Sequence, residues 1–233
     1  MGLFSYSLLP ARFSLDYSMP SRLPLFPLKL VLFPGALLPL HIFEPRYRQL
    51  LADVTLSDHR FGLLPPGERG GLPGPGTVGC IALVRAVQPL GDGRSNIVVS
   101  GERRFALLEP VPAESPYPQG LVEWVEDTPD VQIPTAEEVT RLRGLGERYA
   151  RALQALSDQP LSLELPTGYR ELSFEAAALL EWDFEARQRF LEIRSATERV
   201  ARLLRALPLL VEAAERRAAL HARARHNGHG SAA

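Results

Sequence analysis

One cysteine and one lysine stand in 233 residues, and no apolar run approaches the length of a membrane span. The lone Cys80 excludes an internal disulfide framework and a multi-cysteine zinc site. A chain so poor in cysteine suits a reducing cytoplasm, which is its expected location. The absence of some 18 consecutive apolar residues argues against a transmembrane helix. The first 22 residues lack a basic stretch followed by an apolar core, so no signal peptide is expected. There is no G-x-x-x-x-G-K-[ST], and hence no phosphate-cradling loop, and no G-x-S-x-G nucleophile elbow. Strong charge is missing too: 26 basic against 27 acidic residues leave a net charge of −1. That balance gives no electrostatic reason to expect nucleic acid or a membrane surface as partner.

What is present is ordinary globular material, 45% hydrophobic and 23% charged, enough to bury a core. Its character changes near residue 130. Before that point short apolar runs alternate with Pro and Gly. In "LPLFPLKLVLFPGALLPLHIF" the prolines confine the strands to edges or short pieces, with Pro34-Gly35 the clearest turn. Pro45 suits the first turn of a helix that "RYRQLLADV" carries to about Val54. "TVGCIALVRAVQPL" reads as a long strand, and "GDGRS" as the hairpin turn into "NIVVSGERRFALLEPV", where Gly101 marks a bulge or a strand switch. "GLVEWVED" is a further strand. The expectation is a curled antiparallel sheet with one inserted helix.

After residue 130 the apolar period becomes helical. Thr135 and Glu138 form a capping-box pattern ahead of Val139, Leu142, Leu145, Tyr149, Leu153 and Leu156. Ser173 can cap a short helix, Asp183 another, and Ser195 with Glu198 opens a last one that Pro208 should kink or restart. The domain reading is a flexible extension over 1–21 (Met19 lies just ahead of the first patterned segment), a β-rich part over 22–130, a helical part over 131–226 and a disordered tail over 227–233.

His41 and Glu44 offer the sharpest catalytic pairing. On a strand, residues three apart point to opposite faces. If Glu44 instead opens the helix begun by Pro45, its carboxylate answers free N–H groups there. The structural reading is preferred. Cys80, mid-strand among apolar residues, reads as a buried hydrophobe. His221, His226 and His229 match no metal-site spacing. Arg199, Arg202, Arg205, Arg216 and Arg217 alternate with glutamates and read as solvated helix faces. Nothing supplies nucleophile, base and oxyanion site together. No catalytic residue, metal or cofactor is expected.

Three ordered blocks carry a resemblance: "LPLFPLKLVLFPGALLPLHIFEPRYRQLL", "GTVGCIALVRAVQPLGDGRSNIVVSGERRFAL" and "FEARQRFLEIRSATERVARLLRAL". They resemble the N-terminal substrate-binding domain of the Lon ATP-dependent proteases over about residues 22–210. The signature positions are Pro34, Gly35, His41, Phe43, Glu44, Tyr47, Gly101 and Phe105. The resemblance implies an α+β fold, a PUA-like β pseudo-barrel with an inserted helix followed by a C-terminal helical bundle. It also implies a non-catalytic module in protein quality control, similar to stand-alone bacterial substrate-binding-domain proteins without ATPase or Ser–Lys peptidase. Its implied partners are unfolded or tagged polypeptides and a Lon-type protease. Proline-rich sheet edges beside a helical bundle leave a groove to which extended peptides can add. Phe33, Pro34 and Leu37, with Arg46 and Arg104 as polar anchors, are the candidate contacts. The alternative is RNA binding by a PUA-like barrel, which the near-neutral charge disfavours.

Overall fold

A computed structural model describes residues 7–8, 20–112, 114–157 and 164–228, with the backbone alone at 7–8, 69 and 225–228. In chain order the elements are β1 (Ser7–Leu8), β2 (Ser21–Pro27), β3 (Leu37–Ile42), α1 (Pro45–Thr55), β4 (Arg60–Leu64), β5 (Val78–Pro89), β6 (Ser95–Val111), β7 (Gln119–Trp124), α2 (Ala136–Leu156), α3 (Tyr169–Ala178), α4 (Phe184–Glu192) and α5 (Ala196–Gly228). Two compact units result: Met1–Glu126 with Trp182–Arg194, and Asp127–Glu181 with Ser195–Ala233. Most of the expected extension and tail lies outside the described residues. Of the extension, Ser7 and Leu8 pair with Val87 and Ala86, and Ser21 opens β2.

The first unit is one seven-stranded sheet in the order β1-β5-β4-β2-β7-β6-β3, with β5 also pairing β6. This corrects two expectations. The sheet is mixed, because β2 and β4 run parallel from Leu25↔Gly62 to Pro27↔Leu64; β3 and α1 form the crossover that returns the chain in the same direction. It is also not a PUA-like barrel closed at every edge, since the row ends in two outer strands, β1 and β3. The cause lies in β6. Its first half pairs with β3 (Leu37↔Ser100 to Ile42↔Ser95), its second half with β7 (Phe105↔Trp124 to Val111↔Gln119). That change of partner leaves β3 as a free-standing edge.

Alternation along the strands sends side chains to two apolar clusters. Cys80, Ala82 and Val84 join Phe26, Phe61, Leu63, Ile97 and Val99 in one, against Tyr47, Leu50, Leu51 and Val54 of α1. Those four helix residues have the i, i+3, i+4, i+7 spacing of a buried stripe. Ile81 and Leu64 point the other way, to Leu23, Leu25, Phe105, Leu107 and Val122. Arg104 is buried and donates through Nη1 to the carbonyls of Leu191 (2.6 Å) and Ile193 (2.8 Å). It thereby satisfies acceptors that the end of α4 leaves open.

In the helical unit Thr135 and Glu138 make the full capping box, and Asp183 caps α4 in the first unit through Ala186 N–H at 2.6 Å. Ser173 is not a cap: it lies buried inside α3, whose N-cap is Gly168. Pro208 does not restart α5, which runs on through it as one helix. The lost i→i−4 bond is outweighed by packing on both sides, Leu207 and Val211 being fully buried. Arg199 corrects the solvated-face reading, for it is fully buried. Its guanidinium makes a two-point bond to Asp127 (2.8 and 2.7 Å), donates to Ser173 Oγ (2.8 Å) and lies 3.9 Å from the Phe174 ring centre.

Asp130 is a second hub. It accepts from Ser195 Oγ (3.0 Å), Thr197 N–H (3.3 Å), Tyr169 OH (3.1 Å) and Arg170 (3.2 Å). Burial works to raise its pKa, but the bonds from Thr197, Ser195 and Tyr169 prevail and hold the carboxyl below its ordinary value. A lowered folded pKa means stability that is whole above the unfolded carboxyl's value of about 3.9 and is lost as pH falls through the lower folded value. Asp130→Asn should therefore flatten the acid limb of a helix-melting curve followed by circular dichroism. An unchanged limb would show that the hub does not couple to folding.

Candidate functional site

The "LPLHIFEPRYRQLL" segment places chemistry and architecture together. Pro45 starts α1, and Glu44 takes the N-cap position. Its carboxylate does not cap the helix: Oε2 accepts from Arg46 Nε at 2.9 Å. His41 Nδ1 donates to Asn96 Oδ1 at 2.8 Å, and the His41 and Phe43 rings stack with centres 6.0 Å apart. His41 and Glu44 are thus engaged separately. Arg46 lies over the Tyr47 ring at 4.5 Å.

The peptide-contact candidates separate by burial. Phe33 is fully buried, edge-on to Phe190 at 5.8 Å and beneath Arg187 at 5.0 Å. It and the buried Arg104 form core and are corrected as surface contacts; distant chain segments cover both. Pro34 is half-buried, Arg46 is partly exposed, and Leu37 is 69% exposed. Gly35 has φ 80°, and the turn it makes is tied to Gly101: Gly35 N–H donates to Gly101 O, and Gly101 N–H to Ala36 O, both at 2.9 Å. Phe105 is fully buried. Burial pushes the Cys80 thiol up, which removes it as a nucleophile.

Four of the signature residues come together. His41, Phe43, Glu44 and Tyr47, with Phe26, Pro27, Leu28, Pro39, Leu40 and Ile42, line a groove of about 230 Å³. Phe43 among them is 58% exposed. A neighbouring cleft of about 330 Å³ shares Pro27 and is walled by Arg46, Leu72, Tyr117 and Gln119; the Tyr117 hydroxyl donates to Asp53 at 2.8 Å. Sequence reasoning missed Phe26, Leu28, Leu40 and Ile42 as groove residues, since apolar strand residues carry no local sign of which ones a groove exposes. Among the described residues no group of three His, Cys, Asp or Glu could hold a metal ion, and no helix is long and apolar enough to cross a membrane.

The profile of the ATP-dependent protease La (LON) substrate-binding domain matches residues 22–208, and the groove lies within that span. This chain belongs to the Lon substrate-binding domain family. A Lon protease of Cytophaga hutchinsonii is 25% identical over 212 residues, which is 87% of this chain and 26% of the relative. A Lon protease of Anaeromyxobacter dehalogenans is 35% identical over 115 residues, 47% of this chain and 13% of the relative. The chain therefore spans about a quarter or less of the length of these curated relatives. The crystal structure of a Lon N-terminal domain protein from Xanthomonas campestris matches with a TM-score of 0.60 and 26% identity, covering 81% of this chain and 99% of that one. The N-terminal domain of a Mycobacterium avium complex Lon protease shares the fold at TM-score 0.56 and 17% identity. Over residues 22–208 the chain corresponds to the substrate-binding domain of the Lon proteases.

Proposed function

We propose that this Lon substrate-binding domain is a non-catalytic polypeptide-binding module that uses the groove beside β3, and that it serves as an adaptor in protein quality control. Its partners on this reading are unfolded or tagged polypeptides and a Lon-type protease. The observation that carries it is the groove itself: mostly apolar, lined in part by the exposed Phe43 and by three further signature residues, with no reactive constellation among them. Concave, mostly apolar sites with a few polar groups are what binding modules present.

A reduced, carboxymethylated and hence permanently unfolded polypeptide, labelled with fluorescein, is the probe. Fluorescence anisotropy should show saturable binding by the wild-type chain. Phe43→Asp should weaken it at least tenfold while leaving the melting curve unchanged, because the ring is largely exposed; loss of an apolar interface anchor costs about 2 kcal/mol or more. Leu209→Asp, at a 72% exposed position in the helical unit, is the control that should change nothing. Equal binding by wild type and Phe43→Asp would remove the groove as the site.

A further inference from the structure

The backbone of β3 specifies how the groove is filled. Gly101 turns both its N–H and its C=O toward the β3 side, to Ala36 O and Gly35 N–H. Pairing proceeds without a shift from Leu37↔Ser100 to Ile42↔Ser95. Backbone groups alternate in direction along a strand. Ile97 and Val99 therefore face β3 as Gly101 does, and their partners Leu38 and Leu40 hold the inward hydrogen bonds. Leu37, Pro39 and His41 must then turn their backbone groups outward. β3 ends the row of strands, and among the described residues nothing pairs with that outer side.

The groove lies along this edge. Side chains on one sheet face come from alternate residues, yet Pro39, Leu40, His41 and Ile42 all line it. Lining by four consecutive residues fits a groove that follows the strand's margin. Phe26, Pro27, Leu28 and Tyr47 also line it, and Glu44, its one carboxylate, is already held by Arg46. The space thus offers unpaired backbone acceptors and donors together with an apolar wall free of unpaired charge.

Resting on the reading above, we infer that the groove takes an extended, proline-free polypeptide segment with uncharged, alternately apolar side chains, which adds to β3 as a further strand. From Leu37 to Phe43 the edge spans about 20 Å at roughly 3.3 Å per residue, room for about six guest residues. The outward N–H groups of Leu37 and His41 and the outward carbonyls of Leu37, Pro39 and His41 read the guest backbone, which makes binding tolerant of sequence. Pro39 leaves one donor missing at the centre of the edge. That gap keeps the edge from pairing tightly with every strand it meets.

The gap makes the inference testable by gain of binding. The probe is a fluorescein-labelled hexapeptide alternating valine and threonine, with two copies N-methylated on either alternate set of amides. Pro39→Ala restores one outward N–H and should tighten the unmodified peptide about fivefold, the worth of one hydrogen bond. One methylated copy should bind at least tenfold more weakly than the parent, and the other like the parent. If both copies bind like the parent, strand addition is wrong while the groove remains a binding site. Strand addition is equally wrong if the hexapeptide fails to bind but the unfolded polypeptide binds in a Phe43-dependent way. If neither probe binds, both readings fall. If Pro39→Ala drives self-association in sedimentation without tightening the peptide, the edge takes a second copy of the chain and the inference is overturned.

Discussion

Asp127→Ala should lower the unfolding free energy of the helical unit by about 3–5 kcal/mol, because it leaves a buried guanidinium without its counter-charge. Arg199 is fully buried, and Asp127 meets it with both carboxylate oxygens at 2.8 and 2.7 Å. The Phe174 ring at 3.9 Å and Ser173 Oγ at 2.8 Å remain after the substitution, but neither cancels a full charge. Removing both partners is a different experiment. Asp127→Leu combined with Arg199→Met abolishes the buried charge together with its partner, and should recover most of the loss. Urea denaturation followed by circular dichroism at the helix band measures the single and double variants. Both tryptophans belong to the sheet unit, so their fluorescence serves as an internal reference. A single-variant loss below about 1 kcal/mol would show that solvent reaches Arg199 and that the pair is a surface one.

The Arg199 pair also marks where sequence reasoning stops. Local signals were legible: the Thr135–Glu138 capping box, Asp183 as a cap, Pro45 at the first turn of α1, and the stripe of Tyr47, Leu50, Leu51 and Val54. Each is written within a few residues of where it acts. Arg199 sits beside Val200 in a run of alternating charge, and the partner that draws it inward lies 72 residues away. Phe33 and Arg104 escaped for the same reason, since residues near 190 cover the one and bond the other. The parallel β2–β4 pairing and the two outer strands depend on which strands meet, and a strand's own residues do not encode that choice. The groove was half legible. The resemblance singled out His41, Phe43, Glu44 and Tyr47, but the fold alone shows that β3 leaves its outer side open beside them.

That open side depends on one glycine. Gly101→Ala should destabilise the sheet unit by about 3 kcal/mol, the upper part of the range for overpacking a tight core. A Cβ there would lie 2.1 Å from the carbonyl oxygen of Phe33 and 2.8 Å from its carbonyl carbon. These are backbone atoms and cannot rotate aside. They are also held in place, because Gly35 N–H donates to Gly101 O and Gly101 N–H to Ala36 O. Relief requires the 33–36 turn to lift away, which breaks both bonds at the point where β3 joins β6. Gly144 in α2 is the control: a Cβ there meets nothing within 4 Å, and Gly144→Ala should be neutral or stabilising by up to about 1 kcal/mol. Urea denaturation read by tryptophan fluorescence measures the first, and the helix band of the circular dichroism spectrum the second. The same Gly101 variant bears on function, since a turn pushed off Gly101 carries Leu37 with it and disturbs the start of the edge. Gly101→Ala should thus weaken hexapeptide binding even at temperatures where the chain stays folded. A variant that is destabilised yet binds normally would confine the guest to the Pro39–Phe43 part of the edge, and a loss of stability below about 1 kcal/mol would show that the turn yields without leaving β6.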